Sequence, residues 1–80
     1  MNVRVLLFAS YADAFGSSEI DVALDSGATV RDLVERVRRL AGGRALPPKP
    51  LVAVNQSYAQ AGLALRAGDE VALIPPVAGG

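Results

Sequence analysis

The sequence contains no cysteine and no histidine among its 80 residues. Disulfides, thiolate nucleophiles, imidazole acid–base groups and the usual ligands of a zinc site are therefore all excluded. Lysine is scarce as well, because Lys49 is the only one and the other seven basic residues are arginine. These absences leave few ways for the chain to carry out side-chain catalysis or to hold a metal, and we expect no metal site.

The sequence also lacks an excess of either charge and any long apolar run. Eight Lys and Arg residues balance eight Asp and Glu residues, while 51% of the residues are apolar. A nucleic-acid-binding domain normally carries a basic excess, so we expect no nucleic acid partner. Spanning a membrane takes about 20 apolar residues, and the chain begins with a strand pattern instead of a signal peptide. We therefore expect one small cytoplasmic domain without a membrane partner.

The common catalytic motifs are missing too. The sequence has no G-x-S-x-G, no P-loop, no dinucleotide fingerprint and no metal-ligand spacing. Asp69 and Glu70 are adjacent carboxylates, but neighbouring residues of a strand point to opposite faces, so they cannot share a site. The arginines of the predicted helix are interpreted as a solvated face, because Asp32 and Glu35 are interleaved with them.

Apolar patterning predicts several strands. Residues 3–8 are apolar on both faces, which favours a central strand, and residues 18–24 alternate strictly, which favours a hairpin partner. Residues 51–54 and 71–74 are short apolar runs typical of buried strands, and Tyr58 and Ala59 indicate a possible short strand. Residues 9–15 are compatible with either a turn of helix or an irregular loop.

A single amphipathic helix is predicted to begin after Thr29, whose hydroxyl can accept from the backbone N–H of Asp32. It is predicted to end at Gly42 and Gly43. Its apolar stripe consists of Val30, Leu33, Val34, Val37, Leu40 and Ala41. The proline-containing residues 44–50 are predicted to be a loop that returns to the sheet.

Because one helix must cover one face of the sheet, the element order predicts an α+β fold. If the first and last strands are neighbours, they run parallel. This is a β-grasp, ubiquitin-like arrangement, with a mixed sheet of four to five strands and one main helix packed on one face. We expect residues 1–74 to form this domain and Leu63 and Leu65 to close the core. The residues predicted to point inward are Val3, Val5, Leu7, Ile20, Val22, Leu24, Leu33, Val34, Val37, Val54, Val71 and Leu73.

Residues 75–80 are predicted to be a flexible, extended tail. Pro75 and Pro76 cannot donate to a sheet ladder and favour polyproline II geometry. Gly79 and Gly80 have no side chains, so a narrow groove can approach their backbone closely. We expect the tail to insert into such a groove and the α-carboxylate of Gly80 to be the reacting group. The inserted residues are Pro75, Pro76, Val77, Ala78, Gly79 and Gly80.

An apolar patch is predicted on the sheet face away from the helix. Strand alternation places Leu6 and Phe8 of the first strand beside Ala72 and Ile74 of the last strand, with Tyr58 nearby. A cluster of exposed apolar side chains is typical of an interface. We therefore predict partner binding by Phe8, Tyr58 and Ile74.

These features resemble the small subunit of molybdopterin synthase, the MoaD-like, ubiquitin-like sulfur carriers. The resemblance covers the whole length and is strongest in residues 5–9 (VLLFA), 54–56 (VNQ), 68–71 (GDEV) and 75–80 (PPVAGG). The family usually has Arg-Glu where this chain has Ala12 and Asp13.

The resemblance implies a carrier that is not itself an enzyme and binds no cofactor. An adenylating activating enzyme would use ATP on the Gly80 carboxylate, and a sulfurtransferase would supply sulfur for a thiocarboxylate. The large synthase subunit would then use that sulfur for the dithiolene of molybdopterin, in molybdenum cofactor biosynthesis. Catalytic residues are expected on those partners, and a heterotetramer with the large subunit is implied.

Other readings stay open at this point. A sulfur carrier for thiamine or tRNA thiolation would use the same tail on another acceptor, although the Pro-Pro-Val before the glycines favours molybdopterin. A ubiquitin-like protein modifier would end in an isopeptide bond to a lysine. A simple β-grasp interaction module would not use the tail.

Overall fold

The computed structural model describes residues 1–76, and within them the chain forms a five-stranded mixed sheet and two α-helices. Residues 77–80 lie outside this description. The elements in chain order are β1 (Asn2–Leu7), α1 (Ala9–Phe15), β2 (Glu19–Ala23), α2 (Val30–Arg38), β3 (Leu51–Val54), β4 (Ser57–Tyr58) and β5 (Glu70–Ile74), with a short 3-10 helix at Gly43–Ala45.

The strand order in the sheet is β2-β1-β5-β3-β4. The central strands β1 and β5 run parallel, with Leu7 paired to Leu73, and the other neighbouring strands are antiparallel. The predicted parallel pairing of the first and last strands is therefore confirmed, as is the β-grasp architecture. The possible short strand after Val54 is present as β4.

The core lies between the inner face of this sheet and α2. Val3, Val5, Leu33, Val37 and Val71 are all 0% exposed. Every residue predicted to point inward packs in or against this core, although Ile20 and Leu24 are only half-buried. Since the α2 stripe and the inward residues of β1 and β5 form one cluster, the opposite face of the sheet is the outer face.

The start of α2 forms as its sequence predicts. The Asp32 N–H donates to Thr29 Oγ1 at 3.3 Å, and the Thr29 N–H donates back to Asp32 Oδ2 at 2.9 Å, which completes a capping box. Two further N–H groups of the first turn, those of Val30 and Arg31, donate to the carbonyls of Leu63 and Ala61. Residues 61–63 therefore supply backbone acceptors for this end of the helix.

The predicted end of α2 is wrong. The helix stops at Arg38, and Leu40 is 42% exposed instead of lying on the buried stripe. The cause is tertiary, because Gly42 turns the chain at a φ of 90° directly against the Ala14 carbonyl. The following residue, Gly43, packs on the carbonyls of Val37 and Arg38, where a Cβ would collide with them.

Residues 9–15, for which sequence left two alternatives, form the helix α1. It ends at Gly16, which has a φ of 72°, and it buries Tyr11 to 3% exposure.

The predicted loop 44–50 also contributes to the core, because it buries Leu46. The expectation for residues 63 and 65 is half right, since Leu65 is buried and Leu63 is 45% exposed. None of the helices within residues 1–76 has the length and apolarity needed to cross a bilayer.

Candidate functional site

The outer face of the sheet carries a first row of apolar side chains at the end where β5 stops. Leu51 of β3 pairs with Ile74 of β5, so both point to this face. Phe8 directly follows the Leu7–Leu73 pair, and its extended backbone keeps the alternation of β1, so it lies beside Ile74. Phe8 is 46% exposed, Leu51 is 47% exposed and Ile74 is half-buried.

A second row lies one level further into the sheet. Tyr58 pairs with Ala53, Ala53 pairs with Ala72, and Ala72 pairs with Leu6. Tyr58 is 74% exposed. Together the two rows form one apolar surface, which we name the outer patch. Its members are Leu6, Phe8, Leu51, Tyr58, Ala72 and Ile74; Ala53 lies between Tyr58 and Ala72 in the sheet but is only 7% exposed.

The structure brings the three sequence-predicted residues Phe8, Tyr58 and Ile74 onto this one face. The sequence reasoning missed Leu51, which is the direct cross-strand neighbour of Ile74. The sequence did contain a signal for Leu51. Because side chains alternate along a strand, an inward Val54 means that Val52 also points inward and that Leu51 and Ala53 point outward.

Charged residues border the outer patch on the side away from its first row. One level beyond Leu6, Arg4 lies between its register partners Asp21 and Glu70. Its Nε is 3.1 Å from Glu19 Oε1, in an exposed ion pair. Because such a pair contributes little to stability, its effect here is mainly to make this end of the outer face polar.

The base of the tail coincides with the first row of the outer patch. β5 ends at Ile74, after which Pro75 is half-buried and Pro76 is exposed. The predictions for Val77, Ala78, Gly79 and Gly80 fall outside the described residues. The chain nevertheless leaves the sheet directly beside Leu51 and Phe8. A protein that binds the outer patch would therefore lie next to the start of the tail.

At the opposite end of β5, a polar network joins two of the stretches that carried the family resemblance. Asn55 Nδ2 donates to Asp69 Oδ1 at 3.0 Å, and the Glu70 N–H donates to Asn55 Oδ1 at 3.0 Å. Asn55 and Gln56 both have positive φ, so the β3–β4 turn holds Asn55 in this position. The network attaches the beginning of β5 to the β3–β4 hairpin, which is a structural role.

The Asp69 carboxylate in this network has a lowered pKa. The main cause is the hydrogen bond from the Arg66 backbone N–H to Asp69 Oδ2 at 2.8 Å, followed by the bond from the Asn55 side chain. Both donors stabilise the ionised form. Asp69 is therefore held as a charged acceptor and is not poised to exchange protons near neutral pH.

Where the resembled family usually has Arg-Glu, the structure gives Ala12 and Asp13 different surroundings. Ala12 is half-buried against the core, and Asp13 is exposed on α1. Neither residue belongs to the outer patch. Among residues 1–76, the candidate site therefore consists of a partly exposed apolar surface beside the point where the chain leaves β5.

Comparisons with known proteins agree with this geometry. A family model described as "ThiS family" matches residues 5–80. The molybdopterin synthase sulfur carrier subunit of Chlamydomonas reinhardtii is 40% identical over 85 residues, covering 100% of both chains. A putative molybdopterin converting factor, subunit 1, from Pyrococcus furiosus superimposes with a TM-score of 0.82 at 28% identity, covering 96% of this chain and 99% of that one.

Two other solved structures share the fold. SAMP1, the small archaeal modifier protein 1, of Haloferax volcanii matches with a TM-score of 0.86 at 34% identity, covering 100% of both chains. The complex of subunits 1 and 2 of the molybdopterin-converting factor of Helicobacter pylori contains a chain that matches with a TM-score of 0.72 at 21% identity, again covering 100% of both chains. At that identity, the second likeness supports the fold alone.

Proposed function

Because this chain belongs to the ThiS family, we propose that it is a sulfur carrier that acts as the small subunit of a cytoplasmic molybdopterin synthase. The observation that carries the proposal is the position of the outer patch at the base of a tail that ends in Gly79 and Gly80. The 40% identity to a sulfur carrier subunit over the full chain supports it.

In the proposed cycle, the Gly80 carboxylate is activated by a partner enzyme that uses ATP. A carboxylate is a poor electrophile, so one of its oxygens first attacks the α-phosphate of ATP and displaces pyrophosphate. Sulfur at the oxidation level of sulfide, supplied by a sulfurtransferase together with a thiol reductant, then displaces AMP and leaves a thiocarboxylate. The thiocarboxylate sulfur forms a bond to the molybdopterin precursor on the large subunit, with loss of an oxygen leaving group from the precursor. Water then hydrolyses the resulting thioester, which leaves the sulfur on the precursor and regenerates the carboxylate of Gly80.

The domain's own contribution to this cycle is binding and presentation. Phe8, Leu51 and Ile74 anchor a partner next to the point where the chain leaves the sheet. The absence of side chains at Gly79 and Gly80 lets two different active sites close around the same backbone in turn. The carrier supplies no acid, base, metal or cofactor, and the catalytic residues are those of its partners.

The large subunit is the partner proposed for the sulfur-donating step. The 40% identity to the sulfur carrier subunit of a molybdopterin synthase supports this choice of partner. A heterotetramer, with two carriers on a dimer of large subunits, is the assembly that the family resemblance implies.

A protein modifier is the second candidate, and the likeness to SAMP1 is the observation that favours it. A modifier is activated in the same way but ends in an isopeptide bond to a lysine of another protein. A carrier for thiamine or tRNA thiolation would differ only in the acceptor. The product distinguishes these candidates. The two kinds of carrier differ in the molecule that receives the sulfur, whereas a modifier is itself found attached to lysines of other proteins.

Mass spectrometry tests the proposal directly. The protein is incubated with the activating enzyme of the same organism, ATP and a sulfur source, and the intact mass is measured. We expect one oxygen of Gly80 to be replaced by sulfur, and we expect the large subunit to consume that sulfur. A chain that acquires no sulfur, or that is recovered only as a conjugate on lysines, would contradict the proposed function.

Deletion of Gly80 provides the matched variant. It should abolish sulfur loading, because the carboxylate no longer reaches the partner's active site. Gly79→Val should impair loading as well, because a β-branched side chain occupies the space left for bare backbone and restricts φ and ψ. Thermal unfolding of both variants should match the parent; an unstable variant would mean that the tail supports the fold.

Partner binding by the outer patch is tested with Phe8→Ala and Ile74→Ala. Truncating a central apolar anchor typically costs about 2 kcal/mol of binding free energy, which is close to a 30-fold rise in Kd. Leu40→Ala is the matched control, because Leu40 is similarly exposed at 42% but lies outside the outer patch. If calorimetry with the large subunit gives the parental Kd for both patch variants, the outer patch is not the docking surface.

A further inference from the structure

The backbone of Ala9, at the junction between β1 and α1, has an uncommon conformation. Its φ is 48°, and among residues 1–76 the other non-glycine residues with positive φ are Asn55 and Gln56. Those two connect β3 to β4 in a two-residue hairpin turn, where positive φ at both positions is expected. Ala9 belongs to no hairpin, and alanine has no polar side chain that could stabilise the left-handed region. Such costly conformations persist where the surrounding structure enforces them, and they are enriched at functional sites.

Two buried residues enforce the turn at Ala9. On one side, Leu7 is buried at the end of β1, and on the other side Tyr11 of α1 is buried in the same core. Between them, the Phe8 carbonyl accepts from the backbone N–H groups of Tyr11 and Ala12 at 3.0 and 3.4 Å. The chain therefore passes from a buried strand to a buried helix within three residues, and Ala9 provides the change of direction.

The same turn determines where the Phe8 side chain lies. Leu7 is the last paired residue of β1, so the sheet ladder ends before Phe8. Phe8 has an extended backbone, with φ −120° and ψ 151°, and it is 46% exposed beside Ile74. Because Tyr11 is held by the core while Phe8 is nearly half exposed, a changed backbone at Ala9 would displace Phe8 first.

We propose that Ala9 is a positioning residue for docking, and that its left-handed backbone holds Phe8 in the orientation that the large subunit binds. This inference rests on the proposed function and adds a residue that acts through Phe8 without belonging to the outer patch. An anchor that is already oriented when the partner arrives loses less conformational freedom on binding. The requirement at position 9 is therefore a residue that accepts a φ of 48°.

Substitutions at position 9 test this requirement in both directions. Glycine adopts positive φ without steric cost, so Ala9→Gly keeps the turn and relieves its strain. A β-branched residue at positive φ is a severe outlier, so Ala9→Val drives the backbone out of the turn. Ser10→Val is the matched control, because it adds the same side chain to the next residue, which is equally exposed but lies in α1 without a positive φ.

The experiment measures binding, folding and the position of the ring separately. Calorimetry gives the Kd of each variant for the purified large subunit of the same organism, and circular dichroism with thermal unfolding verifies the fold. Each substitution is repeated in Phe8→Ala, because a residue that acts only through Phe8 has no effect on Kd once the ring is removed. Nuclear Overhauser effects between the Phe8 ring and the Ile74 methyl groups report the position of the ring in the free protein.

We expect Ala9→Val to raise Kd about 10-fold, which is less than the loss caused by removing the ring itself. The same variant should weaken the Overhauser effects to Ile74, and in the Phe8→Ala background it should leave Kd unchanged. Ala9→Gly should unfold at a higher temperature, keep the Overhauser effects and bind with the parental Kd. Ser10→Val should bind like the parent.

A parental Kd for Ala9→Val would overturn the inference, because the turn would then serve folding alone. An equal rise in Kd with and without the Phe8 ring would also overturn it, because Ala9 would then act independently of Phe8. A raised Kd for Ala9→Gly would overturn it as well, and this comparison decides the matter if Ala9→Val does not fold. Sulfur loading of the parent is measured in parallel, so the proposed function stands in all three cases. A parent that neither acquires sulfur nor binds the large subunit would overturn both.

Discussion

Replacing Tyr11 by phenylalanine should stabilise the protein. The Tyr11 side chain lies in the hydrophobic core at 3% exposure, and its hydroxyl finds no hydrogen-bond partner among residues 1–76. A phenolic hydroxyl that leaves water without gaining a partner carries an uncompensated desolvation cost. Phenylalanine keeps the ring and all of its packing contacts while removing that one polar atom.

The size of the effect follows from two opposing contributions. Burying a hydroxyl without a hydrogen bond costs about 1–3 kcal/mol in protein mutational data. Removing its oxygen leaves a small gap and loses a few contacts of about 0.1–0.2 kcal/mol each. The net gain in the free energy of unfolding is therefore about 1 kcal/mol, which corresponds to a rise in Tm of about 4–8 °C for a domain of this size.

Urea and thermal unfolding of the parent, Tyr11→Phe and Tyr58→Phe measure this gain. Tyr58 is 74% exposed, so its hydroxyl keeps its hydrogen bonds to water and the control substitution should be neutral. A clear loss of stability in Tyr11→Phe would refute the reasoning, because it would mean that the hydroxyl has a hydrogen-bond partner in the folded protein.

The same substitution has a signature at alkaline pH. Burial raises the pKa of Tyr11 above its ordinary value of 10.0, because the charged phenolate is poorly solvated in the core. The unfolded chain therefore loses its proton at a lower pH than the folded chain does. Titration of Tyr11 therefore leaves the stability unchanged below pH 10 and lowers it as pH rises from there through the raised pKa. This part of the decline should be absent in Tyr11→Phe.

Three shorter predictions concern the supports of the fold. Val37→Asp places an unpaired charge at a position that is 0% exposed and should cost several kcal/mol, about half of a typical stability for this size; a parental urea midpoint would contradict the position of α2. The hydrogen bonds that lower the pKa of Asp69 stabilise the folded protein above the ordinary carboxyl pKa, and this stabilisation is lost as pH falls through the lowered pKa. In Asp69→Asn, the free energy of unfolding should therefore fall less steeply in this acidic range. Gly43→Ala should cost about 1–3 kcal/mol, because the new Cβ overlaps the Arg38 carbonyl, and unchanged unfolding would contradict that contact.

The sheet was predictable from sequence because its signals are local and redundant. Alternation in β2 and the apolar runs of β3 and β5 each identify a strand, and covering one face with one helix leaves a parallel β1–β5 pair as the natural arrangement. The start of α2 was equally predictable, since Thr29 and Asp32 form a cap within four residues. By contrast, α1 has no side-chain cap at Phe8, and its burial depends on Tyr11 reaching a core made by distant residues.

Two predictions were wrong, the end of α2 and the burial of Leu63, and they share a cause. Both depend on backbone contacts between distant segments, and such contacts leave no periodic pattern in the sequence. The stripe of α2 continues through Leu40, yet the chain leaves the helix because Gly42 and Gly43 pack against carbonyls of α1 and α2. Leu63 matters through its carbonyl, which accepts from the Val30 N–H, so its side chain has no need to be buried. The same reasoning explains the site. Phe8 and Ile74 were found because they belong to the two strands whose pairing was predicted, whereas Leu51 becomes visible only when the β3–β5 register places it beside Ile74 at the base of the tail.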